Sequence, residues 1–151
     1  MHERLWTAPC HNMSMDNDEK SLPGGALTPH VRARFWLVNA AQDGWIGIGR
    51  VQLLQAIEQT GSIRQAAQRL GMSYKRAWSL VEAMNRLGPV PMVVKETGGR
   101  HGGGARVTEY GRRTIALYGQ LEAAMRQCSQ QMEQAITTWA EQNNQGAEHE
   151  H

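Results

Sequence analysis

Long apolar runs are missing from this 151-residue sequence, whose longest are only a few residues. A membrane-spanning helix needs roughly 20 apolar residues, so none is expected. Met1 to Lys20 lacks the apolar stretch of a secretory signal, and Cys10 is not placed as a lipid anchor. Cysteine is nearly absent. Cys10 and Cys128 stand far apart, make no metal-ligand pair and imply no disulfide framework, which fits a reducing cytoplasm. No Ser/His/Asp, Cys/His or paired-carboxylate set falls within one expected structural unit. No catalytic residue is assigned and the chain reads as a non-enzyme.

Acidic residues are scarce in the middle of the chain. Residues 50–113 hold 11 basic residues against 4 acidic ones, a net of +7. Residues 1–49 hold 4 against 5, and residues 114–151 hold 1 against 5, nets of −1 and −4. The overall charge of +2 hides this segregation. A basic middle favours a polyanionic partner, although a solvated basic face with no partner would look the same. Hydrophobic residues at 40% suffice for one core, with room for tails.

Residues 1–30 are polar, rich in Pro and Gly and without periodicity, and read as a mobile arm. Arg34–Val38 and Trp45–Ile48 read as a β-hairpin, with the Asp43-Gly44 step as its turn. Arg50–Gln59 carries Val51, Leu54 and Ile57 at helical spacing and stops at Thr60-Gly61. Ser62 suits the N-cap of a second helix, Ile63–Leu70, and Ser73 that of a third, Tyr74–Leu87. On the third helix Ala77, Val81 and Met84 should face inward. Met92–Lys95 and Ala105–Thr108 read as strands joined by the glycine-rich Thr97–Gly104.

Two short helices joined by Gly71-Met72-Ser73 form a helix-turn-helix. The Ala66-Ala67 pair permits a close helix crossing, and Gly71 supplies the left-handed turn. In this motif the start of the second helix enters the major groove. Lys75 and Arg76 can reach guanine edges or phosphates, Ser79 several base edges, and Glu82 a cytosine amine. Ser62 and Ser73 stand at helix starts, where phosphates bind. Tyr74 and Trp78, one turn apart, read first as packing. The following hairpin is a wing with Arg100 and His101 at its tip and Arg106 on its returning strand. A nucleotide-binding loop does not fit, because no Gly-Lys-Ser/Thr follows the glycines. The expected DNA contacts are Ser62, Arg64, Ser73, Tyr74, Lys75, Arg76, Ser79, Arg100, His101 and Arg106.

These residues carry a resemblance. Thr60–Ile63 (T-G-S-I), the A-A-x-x-L-G motif, Gly71–Trp78 (G-M-S-Y-K-x-A-W), Met84–Leu87, Thr97–Ala105 and Glu109–Arg113 resemble the DNA-binding domain of ModE-type molybdate-responsive transcriptional repressors. Residues 61–80 more loosely resemble the helix-turn-helix of LysR-type regulators. The ModE resemblance implies a cytoplasmic, homodimeric DNA-binding regulator. In that family a separate C-terminal β-barrel module binds molybdate or tungstate. After Thr108 this sequence reads as one helix and a polar tail, so no oxyanion-sensing residue carries over. Molybdate or tungstate as effector is implied by the resemblance alone.

From Glu109 a long helix is expected, its seam formed by Tyr118, Leu121, Met125, Cys128, Met132, Ala135 and Trp139. Steps of 3, 4, 3, 4, 3 and 4 make a heptad pattern and suggest self-association, with packing on its own domain as the alternative. The expected fold is mainly α with small β: a winged helix-turn-helix over 31–108, a dimerisation helix over 109–141 and a disordered tail over 142–151. His2, Cys10, His11, Met13 and Met15, with His149 and His151 at the other end, read as solvated tail residues; no metal or cofactor is assigned. The rival function is a metal- or oxyanion-binding protein that uses the winged domain as an interaction scaffold.

Overall fold

A computed structural model describes residues 22–97 and 104–145. Two short antiparallel hairpins come first. Strand β1 (Gly25–Thr28) pairs with β2 (Val31–Ala33), and β3 (Leu37–Val38) pairs with β4 (Trp45–Ile46). Helices α1 (Ile48–Thr60), α2 (Ile63–Arg69) and α3 (Tyr74–Asn85) follow. The wing is β5 (Val93–Glu96) against β6 (Gly104–Val107), with Val93 opposite Val107 and Lys95 opposite Ala105. Helices α4 (Glu109–Gln131) and α5 (Glu133–Gln145) complete the described chain. This is the expected winged helix-turn-helix behind an N-terminal hairpin.

Local chemistry sets the three helices. Ser62 accepts the Gln65 N–H at 3.2 Å and Ser73 accepts the Arg76 N–H at 3.1 Å, so both act as N-caps. Gly71 has φ +65°, and around it the Met72 N–H returns to the Ala67 carbonyl at 3.0 Å. A side chain there would be strained, which is why glycine makes this turn. Ala66, Ala67 and Ala77 are fully buried where the helices cross. Leu53, Leu54 and Ile57 of α1 and Val81 and Met84 of α3 fill the centre, closed by Val93 and Val107 of the wing.

Five observations depart from the sequence reading. The stretch read as a mobile arm over 1–30 contains β1 and its turn into β2, with Leu27 buried. The strand is held from far along the chain, because Arg126 of α4 donates to the Leu27 carbonyl at 2.7 Å. In the second hairpin the left-handed residue is Gln42, at φ +57°, rather than a residue of the Asp43-Gly44 step. Asn39 makes this possible by accepting the Asp43 and Gly44 N–H groups and donating to Asp43. The expected single helix over 109–141 is two helices that meet at Met132, whose N–H turns back to Ser129. Helix α5 then runs to Gln145, into the stretch read as a disordered tail.

Tyr118 is the fifth departure. It was assigned to a dimer seam but is 3% exposed. Its ring stacks on Phe35 at 4.8 Å, and its hydroxyl donates to the Phe35 carbonyl at 3.3 Å. Burial pushes its phenol pKa above the ordinary value, and Glu122 adds to this, while the Ile48 backbone opposes it. Tyr118 therefore anchors α4 to its own domain and leaves the seam.

The start of α4 is fixed on the wing. Thr108 caps the helix by accepting the Gly111 N–H, and its hydroxyl donates to the Pro91 carbonyl at 2.7 Å. At Gly111 a Cβ would lie 2.6 Å from the Met92 carbonyl oxygen and 2.6 Å from Val107 Cγ1. Gly111→Ala should therefore push α4 off the wing and destabilise the fold by about 1–3 kcal/mol. Urea unfolding measures this, and a loss below about 0.5 kcal/mol would show that the contact yields freely.

Candidate nucleic-acid interface

Helix α3 buries Ala77, Val81 and Met84. The opposite stripe is therefore Lys75, Ser79, Glu82 and Arg86, spaced 4, 3 and 4 residues apart, and all four are exposed. Arg76 is exposed beside them at the helix start. Ser73 uses its hydroxyl on the Arg76 N–H, so the remaining N–H groups of the first turn face outward from the open helix end. A positive helix end, two cations and a small hydroxyl thus share one surface.

Hydrogen bonds fix the wing beside this stripe from both sides. Asn85, at the end of α3, accepts from the Met92 and Val93 N–H groups at 2.9 and 3.0 Å and donates to the Val93 carbonyl at 2.9 Å. On the other strand the Ala105 N–H donates to the carbonyl of Gly61, in the turn before α2, at 2.9 Å. The two bonding sites tie both wing strands to the helix-turn-helix and hold the wing beside α3.

The basic residues of the middle segment divide by what they touch. Arg50 is structural: it lies over the Trp45 ring at 4.0 Å and donates to the Trp45 carbonyl, and burial lowers its pKa. Arg112 is held by Glu109 and Glu58, which raise its pKa, and by the Val107 carbonyl. Arg69 donates to Gln59. Arg106 pairs with Glu96 across the wing at 2.9 Å in an exposed ion pair that contributes little stability. Arg64 and Lys95 rest on the rings of Tyr74 and Trp78. Lys75, Arg76 and Arg86 point outward.

Of the expected contacts, the structure brings Arg64, Ser73, Tyr74, Lys75, Arg76 and Ser79 to one exposed region around the start of α3. Ser62 is half-buried and committed as a cap, and Arg106 is exposed on the wing with Glu96 as its partner. Arg100 and His101 lie outside the described residues, as do the His, Cys and Met residues of the first arm and the C-terminal histidines. Lys95, Arg86 and Asn85 were not singled out from the sequence. Arg86 could have been found by extending the Ser79–Glu82 spacing by one turn. Lys95 stands on β5, next to the glycine-rich turn. Among the described residues no helix is long and apolar enough to cross a membrane. No group of three His, Cys, Asp or Glu side chains among them is placed to hold a metal ion.

The family model described as the bacterial regulatory helix-turn-helix protein of the lysR family matches residues 48–112. The chain is 52% identical over 73 residues to the molybdenum transport protein ModE of Azotobacter vinelandii, covering 48% of this chain and 27% of that protein. It is 49% identical over 73 residues to the transcriptional regulator ModE of Haemophilus influenzae, covering 48% and 29%. It is 45% identical over 91 residues to the molybdenum-pterin-binding protein MopB of Rhodobacter capsulatus, covering 60% and 34%. The similarity thus spans about a third or less of each relative's length. The stretch matched by the family model runs from α1 through the helix-turn-helix and the wing to the start of α4.

Proposed function

We propose that this chain is a sequence-specific transcriptional regulator that binds duplex DNA as a homodimer. The observation that carries the reading is the exposed stripe of α3, with Lys75 and Arg76 at an open helix start and a wing fixed beside it. A helix of this kind fits the major groove, where side chains at its start meet base edges. The phosphates are met by the surrounding cations, which position the protein without reading sequence. Names of relatives such as the DNA-binding transcriptional dual regulator ModE of Escherichia coli support the same class. A role on the genome supports a cytoplasmic location.

The second copy is proposed to dock along α4 and α5. Met132 and Trp139 are 56% and 64% exposed there, Cys128 and Ala135 are exposed, and Leu121 and Met125 are half-buried. Leu117, 55% exposed, adds to the apolar face. Molybdate or tungstate as effector rests on the family likeness and has no assigned residues in this chain.

Selection of bound duplexes from a random pool by the full chain tests both parts. The expected result is a consensus with two-fold symmetry, its half-sites about one helical turn (~34 Å) apart. Affinity for it should fall steeply between about 50 and about 200 mM salt. An asymmetric consensus would overturn the dimer, and recovery of no consensus would overturn sequence-specific binding.

A further inference from the structure

Four side chains touch in a row along the wing side of α3. The Arg64 guanidinium lies 4.4 Å from the Tyr74 ring centre. Tyr74 and Trp78 meet edge to face, 6.2 Å apart and at 85°. The Lys95 ammonium lies 4.6 Å from the Trp78 ring centre. The row runs from the start of α2, across the first turns of α3, to strand β5. Arg64, Tyr74 and Lys95 are exposed, and Trp78 is half-buried.

We infer that this row is a phosphate clamp: Arg64 and Lys95 contact the DNA backbone on either side of the start of α3, and Trp78 is a positioning residue that holds Lys95 in place. The inference rests on the DNA-binding reading and names backbone contacts of that same surface.

Three features carry it. Tyr74 and Trp78 lie on the flank of α3 between its buried face and the Lys75–Ser79 stripe, and the phosphates line the walls of the groove that such a stripe enters. Neither Arg64 nor Lys95 takes part in an ion pair among the described residues, whereas Arg106 on the neighbouring strand does. Their positive charge is thus left for an outside anion. An aromatic face also attracts a cation and narrows its side-chain freedom, so less order remains to be gained on binding. Tyr74 and Trp78, read from sequence as packing, do pack; what they also do is aim two cations.

The test is a salt titration of the full chain on the selected duplex and on an unrelated duplex. Lys95→Ala should weaken binding to both by the same factor, about 3- to 10-fold, and lower the slope of log K against log salt by about 0.9. Trp78→Leu should reproduce the slope loss with Lys95 intact, while Trp78→Phe, which keeps a ring face, should restore it. If Trp78→Leu fails to fold, Lys95→Ala together with Lys95→Ala in the Trp78→Phe background decides, because the slope must drop equally in both. An unchanged slope for Lys95→Ala, or a loss confined to the selected duplex, overturns the clamp. Failure of the wild-type chain to bind any duplex overturns the DNA-binding reading itself, which keeps the two failures distinct.

Discussion

Replacing Lys75 and Arg76 together with alanine is expected to lower affinity for the selected duplex by about 100-fold or more, with no loss of fold. Each bidentate contact to a base edge is worth about 1–3 kcal/mol of discrimination, and about 1.4 kcal/mol is tenfold in affinity. Both side chains are exposed on α3 and neither contributes to the core. Alanine is also the better helix former, so the melting transition should stay within about 0.5 kcal/mol of wild type. The single change Arg76→Ala separates two roles. A base contact requires affinity for the selected duplex to fall more than affinity for an unrelated one. Equal losses would make Arg76 a phosphate contact and leave base reading to Lys75 and Ser79. Unchanged binding by the double variant would remove α3 from the interface.

The second large effect is expected at a residue that touches no DNA. Asn85→Ala removes three hydrogen bonds to the backbone at the base of the wing, where Met92 and Val93 are 2% and 4% exposed. It strands two N–H groups and a carbonyl, and each buried unsatisfied group costs about 1–3 kcal/mol. Some of that is recovered as water enters, so a loss of about 2–4 kcal/mol in urea unfolding is expected. Such a loss is a large fraction of a small domain's stability. Duplex affinity should fall as well, because the wing is no longer set against the recognition helix. A stability change below about 0.5 kcal/mol would show that Gly61 and Thr108 hold the wing without Asn85.

Much of the helix-turn-helix was legible because its signals are local. Ser62 and Ser73 are caps that need only the next three residues, and Gly71 marks a turn that only one residue type makes easily. Ala77, Val81 and Met84 follow the helical period, so the outward stripe was fixed at the same time. What was missed depends on partners distant in the chain. Strand β1 is four residues long and has no clear alternation, and it is held by Arg126, 99 residues away. Tyr118 fits a heptad as well as Leu121 does, and only Phe35, 83 residues back, shows that it faces its own core. The break at Met132 interrupts the helix without interrupting the apolar period. Lys95 gave no signal of its own, since its role comes from the ring beneath it.

The central claim, that the outward stripe of α3 lies in a groove of the duplex, is tested most directly by attaching a DNA-cleaving iron chelate at position 79. The protein would carry Ser79→Cys, with Cys10 and Cys128 changed to serine so that the reagent has one site. On the selected duplex, strand cuts confined to a few base pairs within each half-site are predicted. Full occupancy of the duplex with cuts scattered along it, or with none, would contradict that placement.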